Sequence, residues 1–292
     1  MLTASQSLSS QAEGAEKLRW KFKVGEKLNY QMVQNMNMAM QVMGQNINMN
    51  MNQTMDMVWK GTKVHSDGTT DLSQTITRIR FTMSGGPIGK VEYDSANPNL
   101  GAGNPIVGGI AKMFNALVGQ EFTMQITARG ELKNIKMPQK FLDSLKQGAA
   151  GRIPGMLNAD TLKEMVGKSG IIFPEKAISK GDTWNSKMEL KNPVGTIKVA
   201  TKYVHNGTVK GLEKIQLTPK MTMVPNPGSP FNIKLSDQSG GGTVLFDAKA
   251  GRIVSSSMKQ KMVMVIAAGG QNIEQTVNQT IEMKLQPAKS SK

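Results

Sequence analysis

The sequence of 292 residues contains no cysteine and only two histidines, His65 and His205. The absence of cysteine excludes disulfides, thiolate zinc sites, iron–sulfur clusters, cysteine nucleophiles and the lipid-acceptor cysteine of a bacterial lipoprotein. Both histidines fall in equivalent predicted turns, where side chains are usually solvated, and Asp67 lies near His65. Two histidines leave little for general-base catalysis or for binding a transition metal. We therefore expect a protein that is not an enzyme, that has no catalytic residues, and that needs no cofactor or metal ion.

Long apolar runs are also missing. The longest run, residues 262–268, ends at Gly269 and is far shorter than the roughly 18 residues of a membrane-spanning helix. The first residues contain a small-x-Ala pattern, Ser10-Gln11-Ala12, typical of a signal-peptidase site, but the basic and most of the apolar parts of a signal peptide are lacking. Either the sequence begins inside a truncated signal peptide or residues 1–17 are a disordered polar tail. Both interpretations suit a bacterial protein exported to the periplasm, the cell envelope or the exterior.

Acidic residues are scarce: 36 Lys and Arg oppose 21 Asp and Glu, which gives a net charge of +15. The basic residues are nearly all lysine, they are scattered, and aromatic residues make up only 5% of the chain. Proteins that read nucleic acids cluster basic residues beside stacking aromatics, so we expect no specific nucleic-acid partner. Attraction to an anionic envelope surface is one consequence of the charge, and protection of strand edges by lysine is the plainer explanation.

Methionine is abundant, with 23 in the chain, and many of them alternate with polar residues. Apolar residues occupy even positions over 28–42 and odd positions over 47–59, which is the period of a half-buried strand. The two runs predict a long curved hairpin with one methionine face. The residues predicted to line a ligand on that face are Met36, Met38, Met40, Met49, Met51, Met55 and Met57.

Three interpretations of the methionine face stay open. Alternation alone places these side chains inward, so a packed core is the first. Methionine is flexible and polarisable, so an adaptable lining for a lipid or another apolar ligand is the second. Copper(I) chelation is the least favoured, because neighbouring Met-x-Met residues spread along a strand and do not converge.

Short internal repeats indicate a duplication. Residues 24–29 recur at 180–185, residues 62–68 recur at 202–207, and the turn at 128–130 recurs at 248–251. Each half then reads as an antiparallel meander with one apolar face, and two such faces need each other or a ligand to be covered. We therefore expect two related β lobes that face each other, with pairing between the terminal hairpins.

The predicted fold is mainly β: two related antiparallel β-meander lobes with long curved hairpins, and a few short helices in the middle. The predicted boundaries are a tail at 1–17, an N-terminal β lobe with one short helix at 18–137, a helical and loop linker at 138–172, a C-terminal β lobe at 173–286 and a tail at 287–292.

The chain resembles an uncharacterised family of exported bacterial β-proteins that carries a domain of unknown function. The segments that carry the resemblance are residues 22–30, 119–124, 173–176, 181–184 and 246–252 with the Met/Asn/Gln hairpin, over about 18–285. The resemblance implies export and an antiparallel β fold, and it supplies no site residues.

Two hypotheses for function follow. The first is a non-enzymatic, exported, envelope-associated β-protein that binds an apolar or lipid-like ligand on a Met-lined concave face. The alternative is a structural or protein-interaction scaffold with a closed Met-rich core, no small ligand and an unidentified protein partner. A closed interior would contradict the first, and a large cavity would count against the second.

Overall fold

A computed structural model describes residues 15–42, 44–86, 89–97, 105–147, 159–168, 170–192, 195–227, 231–268 and 271–287. Strands account for 67% of the chain and helices for 11%, which confirms the predicted mainly β class. The predicted tails lie largely outside the described residues, as do residues 148–158 of the predicted linker.

The described strands are long and the helices short. The strands are β1 (Lys27–Val42), β2 (Gln45–Val64), β3 (Thr70–Gly85), β4 (Lys90–Asp94), β5 (Glu121–Ile126), β6 (Leu132–Lys136), β7 (Thr183–Asn192), β8 (Gly195–Val209), β9 (Leu212–Pro225), β10 (Phe231–Asp247), β11 (Arg252–Ala268) and β12 (Gln271–Gln286). The helices are α1 (Pro105–Asn115), α2 (Gln139–Gln147) and α3 (Ala159–Lys168).

All the described strands belong to one antiparallel sheet, in the order β6-β5-β3-β2-β1-β12-β11-β10-β9-β8-β7, with β4 paired to β3. The two predicted lobes are therefore two halves of one sheet. They are joined where β1 pairs with β12, from Asn29 opposite Gln286 to Gln41 opposite Glu274, which is the expected pairing of the terminal hairpins. This ladder gives each terminal strand two neighbours and removes two exposed edges.

Helix α3 lies between the two ends of the sheet. It contacts both edge strands, β6 and β7. A Cβ placed on Gly167 would lie 3.3 Å from Ile135 of β6, and the Lys168 ammonium donates to the Glu189 carbonyl of β7 at 3.4 Å. The sheet is not closed by its own hydrogen bonds, so α3 covers the gap between its edges.

The N-terminal segment, residues 15–26, joins the two halves at one end of the sheet. The backbone N–H of Trp20 donates to Ala128 at 2.8 Å, and that of Lys21 donates to Gly251 at 2.9 Å. These acceptors belong to the two turns that the internal repeat predicted to be equivalent. Both turns approach closely: a Cβ on Gly130 would lie 2.4 Å from the Trp20 indole nitrogen, and one on Gly251 would lie 2.5 Å from Lys21.

A large part of the aromatic core surrounds this segment. Trp20 meets Phe246 edge-on with ring centroids 5.7 Å apart, and Phe246 meets Phe173 at 4.8 Å. The largest fully buried side chains include Leu18, Tyr30, Phe173, Phe246 and Ile215. Aromatic pairs of this kind contribute about 0.5–1.5 kcal/mol beyond the area they bury, so this end of the sheet is tightly packed.

Replacing Gly130 with alanine is expected to lower the free energy of unfolding by about 2–4 kcal/mol, because the new methyl group overlaps the Ile171 carbonyl oxygen and the Trp20 indole while the backbone has a positive φ. Gly25 is the matched control: its φ is +80° but no atom lies within 4 Å of an added Cβ, so Gly25→Ala retains the strain without the overlap. Urea denaturation measures both. Equal losses in the two variants would contradict the close packing of Ile171 and Trp20 against Gly130.

An ion pair joins the two halves at the same end of the sheet. Arg252 Nη1 donates to Glu26 Oε1 at 2.8 Å, and the Lys23 backbone N–H donates to the same carboxylate. Burial alone would raise the pKa of Glu26, but these hydrogen bonds outweigh it and hold the pKa below its usual 4.5. Since the folded-state pKa is lowered, the pair stabilises the fold above the unfolded pKa and is lost as the pH falls through the folded one.

Glu26→Gln is therefore expected to cost about 1 kcal/mol at pH 7. The stability difference from the native protein should shrink as the pH falls below about 4.5. Denaturant unfolding from pH 3 to pH 8 measures it. A difference that does not change over this pH range would contradict the role given to the ionised carboxylate.

Candidate functional site

A cavity of about 500 Å³ lies inside the curved sheet. Both halves of the chain contribute to its wall, together with α3 and the segment that follows it. The apolar lining consists of Trp20, Trp59, Met124, Ile126, Leu132, Val166, Ile171, Met188, Val199, Leu217, Pro219, Met221, Val244, Ile253, Met258, Ile281 and Met283. Its volume and mostly apolar wall match small-molecule sites, which range over about 300–1,000 Å³.

Five methionines from five different strands converge on this cavity. They are Met124 of β5, Met188 of β7, Met221 of β9, Met258 of β11 and Met283 of β12. An unbranched thioether side chain rearranges at low cost, so this wall can adapt to apolar ligands of varied shape.

The seven methionines predicted from the first hairpin lie nearby but do not line this cavity. Met36 lies opposite Met51 and Met38 opposite Met49, so β1 and β2 do present one methionine face. Met57 is buried, Met51 and Met55 pack against the core, and Met36, Met38, Met40 and Met49 are half-buried. Their role in lining a ligand stays a prediction.

The two methionine surfaces are continuous. Met283, which lines the cavity, lies opposite Met32 on β1, and Met32 lies opposite Met55 on β2.

The sequence analysis did not identify Trp20 or the second-half methionines as residues that line the cavity. The alternation of Leu18, Trp20 and Phe22 is the signal that would have marked the N-terminal segment as buried.

The sheet opens beside the cavity, between β9 and β10. These strands pair only from Gly242 opposite Leu217 to Phe246 opposite Glu213, although both continue further. Pro219 lies just past the last pair and has no N–H to donate to a neighbouring strand. Both Pro219 and Met221 line the cavity, so the cavity extends to this opening.

One side chain bridges the opening. Gln238 of β10 accepts the Met221 N–H at 2.7 Å and donates its amide to the Met221 carbonyl at 2.6 Å. At this point the two strands are joined by two hydrogen bonds from one side chain instead of a backbone ladder.

The two histidines occupy equivalent positions in the two halves. His65 Nε2 lies 2.9 Å from Asp71 Oδ1, and His205 Nε2 lies 2.6 Å from Glu213 Oε2. The hydrogen bond from His65 lowers the pKa of Asp71, and a second bond from Gln125 lowers it further. Asp67, expected as the neighbour of His65, instead accepts the backbone N–H and the hydroxyl of Thr69.

The expectation that both histidines are solvated turn residues is wrong for His205. Its exposed fraction is 5%, because β8 continues past it to Val209 and its side chain lies on the inner face. Neither histidine lines the cavity. Within the described ranges, no group of three or more His, Asp or Glu residues is arranged to hold a metal ion.

The outer surface of the second half is strongly basic. We call it the lysine face: Lys187 and Lys191 of β7, Lys198 and Lys202 of β8, and Lys220 of β9, all of them exposed. Glu189, 3.9 Å from Lys198, is the acidic residue that alternates onto this face. The pairing register holds the lysines close together, since Lys187 and Lys220 flank Ala200 on β8.

Two sequence comparisons bear on this chain. A family model described as "Family of unknown function (DUF6263)" matches residues 67–253. No curated protein matches the chain. In the described part of the chain, no helix is long and apolar enough to cross a membrane.

A solved structure of another protein has a similar architecture. The structure described as "Lipid-protein interactions in lipovitellin" has a TM-score of 0.51 at 12% identity, and the alignment covers 93% of this chain and 27% of that one. The chain thus spans about a quarter of the lipovitellin chain. DynF from the dynemicin biosynthesis pathway of Micromonospora chersina aligns over 98% of this chain and 94% of that one, at 8% identity. Its TM-score of 0.25 is too low to indicate a shared fold.

Proposed function

The chain belongs to this family of unknown function, since the family model covers more than half of it, and we propose that it is a non-enzymatic, exported protein that binds an apolar or amphiphilic small molecule inside its curved sheet. One observation carries the proposal: the 500 Å³ cavity, whose wall is mostly apolar with a minority of polar side chains. The family membership agrees with the resemblance seen in the sequence.

The energetics favour an apolar occupant. Each methylene that leaves water contributes about 0.8 kcal/mol, so about ten buried methylenes supply roughly 8 kcal/mol, the free energy of micromolar binding before the cost of immobilising the ligand. The methionines that converge on the cavity can fit chains of different shape. The proposal is also supported by the similarity in fold to lipovitellin, because that structure is described as one of lipid–protein interactions.

The opening between β9 and β10 gives a ligand a route. The Gln238 side chain joins the strands beyond their paired residues, and the cavity reaches this point at Met221. A ligand that displaces two side-chain hydrogen bonds enters without unfolding a strand.

Export and the absence of catalysis belong to the same proposal. The resemblance to an exported family supports export, and a cysteine-free, lysine-rich composition is compatible with it. The histidines are hydrogen-bonded to carboxylates and lie outside the cavity, which supports a binding role over a catalytic one.

A scaffold with a closed methionine core is the second candidate. The burial of Met57 and the packing of Met51 and Met55 against the core favour it for the first hairpin. The two candidates differ in what they expect of the cavity: the scaffold needs no occupant.

Filling the cavity tests the binding function. Ser256 lines the cavity and Ser255, its neighbour on β11, does not. Ser256→Leu is expected to weaken binding of the neutral apolar dye N-phenyl-1-naphthylamine at least tenfold, because the larger side chain occupies the space. Ser255→Leu is the matched control and should bind as the native protein does. Fluorescence titration measures both.

Binding that is the same in all three proteins would place the dye elsewhere. If the native protein binds neither this dye nor any acyl compound, the result would favour the second candidate, a scaffold with a closed methionine core.

The lysine face completes the proposed function, since it suits docking on an anionic membrane surface. Each lysine near such a surface contributes about 1 kcal/mol, and this contribution weakens as salt screens the charges. The lysine face lies on β7, β8 and β9, whose opposite faces line the cavity, so docking would bring the cavity close to lipid.

Charge reversal of the lysine face tests the docking. Lys198→Glu with Lys202→Glu and Lys220→Glu should weaken binding to phosphatidylglycerol–phosphatidylcholine vesicles at least tenfold in a flotation assay. Lys60→Glu with Lys63→Glu and Lys136→Glu makes the same charge change on β2 and β6 and should have little effect. Equal weakening by the two triple variants would show that net charge alone matters.

A further inference from the structure

Two hydroxyl groups lie side by side on the cavity wall, one on β7 and one on β8. Ser186 pairs with Thr201 in the ladder, so their Cβ atoms are about 5 Å apart. Both residues line the cavity, and so do Met188 and Val199, the paired residues two positions further along the same strands. Because alternate residues of a strand share a face, the Ser186 and Thr201 side chains point inward with these two neighbours.

The two hydroxyls lie at the surface of the cavity. Serine and threonine carry the hydroxyl directly on Cβ, so an inward-facing Cβ keeps the oxygen at the wall. Ser186 Oγ has one long contact, 3.4 Å to the Tyr203 hydroxyl. The Thr201 hydroxyl has no hydrogen-bond partner among the described residues, and its oxygen is accessible instead of sealed within the wall.

A ligand that fills the cavity takes water away from these hydroxyls. Both residues are half-buried, so water can solvate them until a ligand covers them. A polar group that loses water without gaining a partner is destabilising, and a pure hydrocarbon would leave Ser186 and Thr201 in that state. A hydroxyl on the ligand can donate to one of them and accept from the other. The pair therefore favours a ligand that carries a hydroxyl.

The pair lies level with the opening between β9 and β10. Thr201 pairs on its other side with Pro219, which lies just past the last β9–β10 pair. On the side of the N-terminal segment, the next inward-facing residues include Leu217 and Met258, which are apolar and line the cavity. An amphiphile would thus place its polar group beside the opening and its chain toward Trp20.

The charge of the wall argues against an anionic polar group. Among the described lining residues, Lys168 alone is charged at neutral pH. Its ammonium already contacts the Glu164 carboxylate, and it donates to the Glu189 carbonyl at 3.4 Å. A carboxylate bound in the cavity would have no free cation to balance it, and an unbalanced buried charge is far more unfavourable than an unpaired hydroxyl.

Resting on the proposed function, we infer that the ligand is an uncharged, hydroxyl-bearing amphiphile, such as a fatty alcohol or a monoacylglycerol, whose hydroxyl bonds to Ser186 and Thr201. The polar group lies beside the opening bridged by Gln238. The hydrocarbon chain extends past Leu217 and Met258 toward Trp20.

Thr201→Val tests this inference, because valine has the shape of threonine without the hydroxyl. The probes are 1-decanol and undecane, which have the same number of non-hydrogen atoms, and displacement of N-phenyl-1-naphthylamine measures their binding. Thr201→Val should weaken 1-decanol binding about fivefold to tenfold, because one hydrogen bond is lost. It should tighten undecane binding about twofold to fivefold, because no hydroxyl then loses its water.

Three further variants support the comparison. Ser186→Ala should change the binding of the two probes in the same directions as Thr201→Val. Thr201→Ser keeps the hydroxyl and should bind 1-decanol within about twofold of the native protein. Thr218→Val is the matched control, since Thr218 is exposed on the outer face of β9, opposite Lys202, and this variant should bind both probes as the native protein does.

The outcomes separate the two proposals. If neither 1-decanol nor undecane displaces the dye from the native protein, the proposed function fails and this inference fails with it. If both probes bind but Thr201→Val changes the two affinities by the same factor, the cavity binds apolar ligands without selecting a hydroxyl, and this inference alone is overturned. Tighter binding of decanoate than of 1-decanol at pH 8 would overturn the choice of an uncharged group.

Discussion

The pairing of β1 with β12 is the constraint on which the structure depends. It joins the first and last long hairpins into one ladder and so converts two meanders into a single antiparallel sheet. Because every strand has an apolar face with period two, a single curved sheet gathers these faces on its inner side. The N-terminal segment then ties Ala128 in one half to Gly251 in the other, and α3 covers the gap between the edge strands. The cavity is the space that remains between the halves.

Packing is graded along the sheet. At the end held by the N-terminal segment, aromatic side chains fill the interior and the Glu26–Arg252 pair fixes the start of β1 to the start of β11. Further along, methionine, serine and threonine largely replace aromatics, and beyond the β9–β10 ladder the Gln238 side chain bonds the Met221 backbone. A rigid end and an adaptable, openable end are what a protein needs to hold an apolar molecule and also to release it.

The sequence predicted the strands well because alternation is a local property. The long first hairpin, the repeat of the two turns at 128–130 and 248–251, and the pairing of the terminal hairpins are all present. The cavity could not be predicted in the same way: Met124, Met188 and Met258 come from strands far apart in the chain, and periodicity shows which faces are apolar but not which of them meet. The burial of His205 was missed for a related reason, since the extension of β8 past its turn depends on pairing with β9.

The central claim is that the interior of the sheet takes one apolar molecule. The most direct measurement is a crystal structure of the protein grown with 1-bromododecane, with data collected at the bromine absorption edge. The account predicts an anomalous bromine peak and continuous density between Met124, Met258 and Met283, inside the sheet. Side chains that close the space and leave bromine only on the outer surface would contradict it.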